Sequence, residues 1–231
     1  MRAPIIAVDG TAGSGKSSVC RGAAQEMGYR YLDTGAMYRA VTWALLAERV
    51  DVHDAEAVAA GAAAVELASG MDPASPTIAV GARDVSVDVR GADVTAAVSA
   101  VSAVPQVRER LVALQQQAVA KAHAAGLGIV VEGRDITTVV LPYADLKLFL
   151  TADPAVRAAR RAAQDLDLGR AQVDVAATQA ELLVRDAKDA GRQASPMTQA
   201  ADAVVVDTTD LTLDETIDRV LALIRALPEP S

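Results

Sequence analysis

Gly10-Thr11-Ala12-Gly13-Ser14-Gly15-Lys16-Ser17 consists of a glycine, four further residues and then Gly-Lys-Ser, a spacing suited to holding phosphate. The glycines let backbone N–H groups turn inward round an anion. Lys16 can reach the β and γ phosphates of a triphosphate. Ser17, followed by Ser18, stands at the positive end of a helix, where its hydroxyl can ligate magnesium. The pattern lies between the apolar run Ile5 to Val8 and a helix expected over Ser17 to Met27, before Gly28. Taken alone it serves GTPases, ATPases and small-molecule kinases equally, because each needs a triphosphate cradle.

Two further groups have the residue types and positions to complete such a site. Gly133-Arg134-Asp135 follows a second apolar run, Gly128 to Val131, and Glu132. Ligands of open parallel sheets bind beyond strand C-termini, which makes Arg134 and Asp135 candidates over a plain surface ion pair. Asp33-Thr34-Gly35, past the short strand Tyr29 to Asp33, has the same positional logic, with Arg39 about one turn into the next helix, Ala36 to Leu46. Arg157, Arg160, Arg161, Arg170, Arg185 and Arg192, with Lys188, form a local cationic series in a chain whose net charge is -8. It is suited to neutralising charge on a transferring phosphoryl group, with Arg157 and Arg161 expected on the donor side. Its bland alternative is a solvated helix, since Asp165, Asp167, Glu181, Asp186 and Asp189 accompany it.

These groups need a scaffold, and the chain of 231 residues is expected to build one domain, residues 1–231. Strand, glycine-rich loop and helix, then strand and helix again, suggest a parallel α/β unit covered on both faces. Between Ala64 and Val89 the texture changes. Thr77 to Val80 and Asp84 to Val87, separated by a glycine-containing turn, read as a small antiparallel excursion. Pro105 to Ala125 returns to helix, with Val107, Leu111, Leu114 and Ala118 on one face. Leu146 to Leu150, interrupted only by Lys147, and Ala203 to Val206 are further strands. Asp153 and Pro154 open a helix over Ala155 to Ala163, and the arginine-rich stretch that follows, to Gln193, is a candidate lid. Thr212 and Glu215 form a capping box ahead of a stripe of Leu213, Ile217, Val220, Leu221 and Ile224.

Composition narrows the partners. A hydrophobic fraction of 52% with 23% charged residues is globular, and a net charge of -8 disfavours indiscriminate attraction to nucleic acid or anionic lipid. Cys20 is the sole cysteine, which excludes an intrachain disulfide and a multi-cysteine metal cluster and fits a reducing cytoplasm; its expected role is structural. His53 and His123 are far apart in sequence, so a zinc site would rest mostly on carboxylates. Pro4 to Val8 has no signal-peptide character, and no run of 18 apolar residues suggests a membrane span. No obligatory protein partner is evident.

In combination, the loop at Gly10 to Ser17, Leu32-Asp33-Thr34-Gly35-Ala36-Met37-Tyr38-Arg39, Pro105-Gln106-Val107-Arg108, Glu132-Gly133-Arg134-Asp135, Arg185-Asp186 and Ala201-Asp202-Ala203 resemble the bacterial cytidylate kinases, among the nucleoside monophosphate kinases. The resemblance spans nearly the whole chain. It implies an α/β, three-layer fold of the P-loop kinase type, with a five-stranded parallel sheet, an acceptor-side insertion at residues 64–91 and a helical lid at 162–193. That insertion argues against a plain adenylate kinase. Carried over residue by residue, the acceptor site falls on Thr34, Arg39, Ser99, Arg108, Arg134, Asp135, Arg185, Asp189 and Arg192. Ser99, Arg134 and Asp135 match positions around the cytosine; Arg39, Arg108, Arg185 and Arg192 match positions facing phosphate; Asp189 matches a carboxylate that reaches the acceptor sugar. Lys188 stands where relatives often carry a denser arginine series, and it lacks the planar fork of bidentate phosphate contacts.

The resemblance implies ATP plus CMP or dCMP giving ADP plus CDP or dCDP, with Mg²⁺ held through Ser17 and direct in-line transfer assisted by Lys16, Arg134, Arg185 and Arg192. A kinase for UMP or another small acceptor is the nearest alternative. A nucleotide-dependent regulatory switch is weakened by the absence of an Asn-Lys-x-Asp sequence.

Overall fold

The computed structural model describes residues 3–167, 174–192 and 195–228. Arg170 and Gln193 of the expected lid lie outside them. Strand β1 (Ile5–Gly10) is buried at every position and lies at the centre of a parallel sheet. It pairs with β6 (Ile129–Glu132) on one side and with β7 (Leu146–Thr151) on the other. Strand β2 (Arg30–Asp33) flanks β6 and β8 (Val204–Asp207) flanks β7, giving the order β2-β6-β1-β7-β8.

Alternation along β1 explains why the sheet is covered twice. Ile5 and Ala7 face a core shared with α2 (Thr34–Ala47), α3 (Ala55–Ala64), α4 (Ala92–Val101) and α5 (Pro105–Ala124). Ile6 and Val8 face the opposite core, shared with α1 (Lys16–Met27) and α8 (Leu213–Arg225). A strand between two such layers needs apolar residues at both parities, which is why Ile5 to Val8 reads as a continuous run. Each large aliphatic side chain buried there contributes about 1.5 to 3 kcal/mol. Gly10 ends β1 with φ 148, and a Cβ at that position would lie 2.0 Å from the Leu150 carbonyl oxygen, so no larger residue fits there.

Local signals set the helix boundaries. Asp33 accepts from the Ala36 N–H at 2.9 Å and caps α2, which therefore begins at Thr34, two residues before its expected start. Asp153 accepts from Ala155 N–H at 2.8 Å at the start of α6 (Pro154–Asp167). Thr212 and Glu215 close the capping box that opens α8. Leu213 departs from the expected stripe: it is the first residue of α8 and is 49% exposed, whereas Val220, Leu221 and Ile224 are buried.

The antiparallel excursion is a three-stranded sheet of β3 (Leu67–Ser69), β4 (Ile78–Val80) and β5 (Arg83–Asp84). The last strand is shorter than the Asp84 to Val87 run suggested, because Val85 turns inward to the core and the chain enters a short 3-10 turn. The insertion is tied to the main body where Tyr31 N–H donates to the Met71 carbonyl at 3.0 Å. Arg21 adds bonds to the carbonyls of Pro73 and Ala74 at 3.1 and 3.3 Å. Helix α7 (Val175–Ala190) lies against α6 on the other side of the phosphate loop. Among the described residues no helix is long and apolar enough to cross a membrane.

Candidate active site

The loop between β1 and α1 wraps the Lys16 side chain. Its ammonium donates to the carbonyls of Gly10 and Thr11 at 2.8 and 2.7 Å and is buried. Burial, and secondarily the Arg134 guanidinium, pull its pKa down to about 7; Glu132 acts in the opposite direction. An anion arriving in the loop would favour the charged form. Ser17 and Ser18 are exposed at the start of α1 and line a cavity of about 250 Å³ with Asp33, Arg21 and Gln164. Gly13 meets helix α6, and a Cβ there would sit 2.9 Å from the Arg157 carbonyl oxygen.

A second, smaller cavity gathers eight of the nine acceptor candidates: Thr34, Ser99, Arg108, Arg134, Asp135, Arg185, Asp189 and Arg192. They come from α2, α4, α5, α7, the turn after β6 and the residues just past α7, so only the tertiary fold brings them together. Arg39 is placed differently. It donates to the Val89 carbonyl and Thr95 hydroxyl, each at 3.0 Å, and is not among the residues that line the cavity. Burial, then the charges of Arg185 and Arg161, lower its pKa. Arg185 is also shifted down, by burial and then by Arg134. This is a cluster of guanidiniums close enough to disfavour one another's charge.

Within the cavity the charges are ordered by pairing. Arg108 and Asp135 form an ion pair whose side chains are 5% and 6% exposed. Arg108 also donates to the Ser102 carbonyl at 3.2 Å and lies over the Tyr38 ring, 5.4 Å from its centroid. Asp189 accepts from Arg134 Nε at 3.0 Å and from Arg192. Arg134 in turn donates to the Gly10 carbonyl at 2.7 Å, so it bridges the phosphate loop and α7. The Thr34 hydroxyl donates to the Glu132 carbonyl at 2.7 Å. At about 60 Å³ the space is smaller than a typical nucleotide pocket.

Three further contributors were not among the candidate site residues: Glu132 and Tyr38, which lie within quoted motifs, and Asp9, which belongs to none. Glu132 is buried beside Lys16 and accepts from the Tyr31 hydroxyl. Burial first, then Asp33, raises its pKa, while Lys16 and a hydrogen bond from Ser17 lower it. Asp9, in the buried centre of the sheet, accepts from the N–H groups of Ile136 and Thr137, both at 2.8 Å, and from the Thr137 hydroxyl at 2.6 Å. It thereby fixes the turn that presents Arg134 and Asp135. The available signal was a carboxylate interrupting an apolar run. Tyr38 lines the smaller cavity, and its hydroxyl pKa is raised to about 12, chiefly by burial.

The arginines of α6 divide. Arg157 is buried and donates to the Ala152 and Ala12 carbonyls, both at 3.1 Å, as well as to Asp186. It therefore holds the donor loop from outside. Arg160 is likewise engaged, with Thr208 and the Leu211 carbonyl. Arg161 donates to Gln164 at 3.2 Å and is close enough to perturb Arg39 and Arg185.

A family profile described as cytidylate kinase matches residues 6–226. A cytidylate kinase of Streptomyces griseus is 51% identical, over 95% of this chain and 92% of its own. Those of Mycolicibacterium paratuberculosis and Corynebacterium glutamicum are 50% and 48% identical, over 97% and 98% of this chain and 96% of each of theirs. A solved structure of an uncharacterized protein from Eubacterium ventriosum shares the fold at a TM-score of 0.53 and 13% identity, with 96% of this chain and 99% of that one covered. With the match running from the first strand to the last helix, and with half of all positions identical in several relatives, the chain belongs to the cytidylate kinase family.

Proposed function

We propose that the two cavities are the donor and acceptor sides of one phosphotransfer site, at which the γ-phosphoryl group of ATP passes to CMP or dCMP to give ADP and CDP or dCDP. One observation carries the assignment of residues: Arg134 joins the Gly10 carbonyl of the phosphate loop to Asp189 of the acceptor cavity. A group bound in the loop and a group bound in the cavity would meet at this guanidinium.

The loop from Gly10 to Ser18 holds the donor phosphates, with Lys16 turning from its two carbonyl partners to the bound anion. Arg185, Arg192 and Arg39 supply positive charge to the acceptor phosphate and the transferring group. Arg108, placed toward phosphate by the resemblance, is here paired with Asp135, and we assign the two together as a donor and an acceptor to the base, with Ser99 and Thr34 completing the polar wall. None of these groups needs to form a covalent intermediate. In-line attack by the acceptor phosphate oxygen requires positioning and charge neutralisation.

The Ser17 hydroxyl, with Asp33 on the same cavity and Glu132 beside both, offers hard oxygen donors suited to a hydrated Mg²⁺. Burial, and after it the charge of Asp33, raise the pKa of Glu132, and a divalent cation held nearby would favour its charged form. When bound, the ion would supply Lewis-acid neutralisation of the charge on the donor phosphates.

Residues 64–91 serve as the acceptor-side insertion and residues 162–193 as the lid, whose closure over the loop excludes water. Initial rates with MgATP across CMP, dCMP, UMP and small alcohols test the reading. Preference for CMP and dCMP is expected, while preference for a non-nucleotide acceptor would overturn it. ATP hydrolysis without acceptor as fast as transfer to CMP would overturn the lid.

A further inference from the structure

Ala12, at the tip of the phosphate loop, has both of its backbone groups taken by the neighbouring helices. Its N–H donates to Asp186 Oδ1 of α7 at 3.0 Å, and its carbonyl accepts from Arg157 Nη1 of α6 at 3.1 Å. Asp186 and Arg157 are paired to each other, with side chains 12% and 5% exposed. The side chain of Ala12 packs with Ala158 of α6 and Leu182 of α7. The next residue, Gly13, has no room for a Cβ beside the Arg157 backbone. The loop tip is therefore clasped from both sides.

Asp186 directly follows Arg185, which lines the acceptor cavity, and precedes Asp189, which lines it one turn later. Asp186 itself does not line that cavity. We propose that Asp186 is a positioning residue that couples the two substrates: when the acceptor engages Arg185 and Arg192, α7 shifts, and Asp186 carries the Ala12 peptide into the geometry in which the adjoining N–H groups receive the donor phosphates. The proposal rests on the reading that the Gly10 to Ser17 loop holds the donor.

The physical case is one of rigidity and reach. A charge-assisted hydrogen bond to a backbone N–H, half-buried and braced by an arginine, transmits displacement in a way that a solvated side chain does not. Because the other face of Asp186 is held by Arg157 on α6, motion of α7 alone would break the triangle, so α6, α7 and the loop tip move together. By linkage, a shift of the loop produced by the acceptor must appear as an equal effect of the donor on acceptor affinity.

The test is the ratio of dissociation constants for the magnesium complex of adenosine β,γ-imidotriphosphate, measured without and with saturating CMP by titration calorimetry. In the parent protein CMP should tighten donor binding by about fivefold or more, the low end of ordinary coupling. In Asp186→Ala the ratio should fall to within about twofold of unity. A role confined to stability would instead weaken both ligands and leave the ratio intact, and a folded variant with the parental ratio overturns the proposal. Should Asp186→Ala fail to fold because Arg157 is left with an unpaired buried charge, Arg157→Met with Asp186→Leu removes both members, and the same ratio decides. A parent protein with measurable donor binding but a ratio of one also overturns it. Failure of the parent to bind the analogue at all would overturn the donor-loop reading beneath it.

Discussion

Replacing Asp135 by alanine would remove the partner of Arg108 and leave its guanidinium, 5% exposed, without a counter-charge. Breaking a buried pair from one side costs about 3 to 5 kcal/mol. Here the bonds of Arg108 to the Ser102 carbonyl and the Tyr38 face persist, which favours the lower end. At roughly 2 to 4 °C per kcal/mol for a chain of this size, the melting temperature should fall by about 6 to 12 °C. The acceptor should suffer separately. Losing one recognition group from the cavity costs about 1 to 3 kcal/mol, or roughly 5 to 150-fold in the CMP requirement, with a much smaller change for ATP. The two effects can be pulled apart with Arg108→Met added to Asp135→Ala. Removing the stranded charge should recover much of the melting temperature and none of the CMP affinity. Thermal melts by circular dichroism and separate ATP and CMP titrations of the parent and the two variants measure this. Unchanged CMP kinetics in folded Asp135→Ala would refute the acceptor assignment. Recovery of CMP use along with stability in the double variant would show that the pair acts only through the fold.

Lys16→Ala should fold and lose about 10² to 10³-fold in transfer rate, and near-parental turnover in a steady-state assay would remove Lys16 from its role. Burial, then the Arg134 charge, lower the pKa of Lys16 to about 7, so donor binding above that pH should be accompanied by proton uptake and weaken as pH rises; calorimetry in buffers of different ionisation enthalpy measures this, and Lys16→Ala should abolish it. The same shift makes burial of the charged form a cost to folding that is fully present below pH 7 and relieved as pH rises towards the unfolded value, an increase in stability that chemical denaturation across that range would detect. Ser17→Ala should raise the Mg²⁺ concentration needed for half-maximal rate, and an identical metal titration would contradict the ligand assignment. Gly10→Ala, placing a Cβ 2.0 Å from the Leu150 carbonyl, should cost about 3 kcal/mol or more in urea unfolding.

How far the sequence discloses this molecule depends on whether a residue's task is local. The phosphate loop is legible because one octapeptide does one job, and the central strands are legible because burial on both faces leaves continuous apolar runs such as Ile5 to Val8. The capping box at Thr212 is equally local. Leu213 shows where periodicity overreaches, since a residue in the first turn of a helix can keep the stripe's spacing and still project past the edge of the core. The excursion at Thr77 to Val87 was recognisable as strand and turn, but Val85 could be placed only by the core it enters. Asp9 and Glu132 were hardest to read, because each works by contacts with elements more than 100 residues away: Asp9 on the turn at Ile136 and Thr137, and Glu132 on Tyr31. For the arginines, charge alone could not separate Arg157 and Arg160, which brace the scaffold, from Arg134 and Arg185, which line the cavity.

That division of the arginines resolves an apparent conflict between the chain's net charge of -8 and its business with phosphates. Distributed evenly, an acidic surface would repel a nucleotide. Here Arg39, Arg134, Arg161, Arg185 and Arg192 are drawn into one neighbourhood, close enough that burial and their mutual repulsion lower the pKa values of Arg39 and Arg185. Such a cluster is costly in the folded chain, and Asp189, nearly fully buried between Arg134 and Arg192, offsets part of that cost. It offsets only part. One carboxylate serves two guanidiniums, so the cavity retains an excess of positive charge that a phosphate can satisfy and an apolar molecule cannot. The acidic exterior then becomes an advantage, because it leaves this cavity as a strong local attraction for small phosphates while disfavouring long polyanions that would have to lie across the surface.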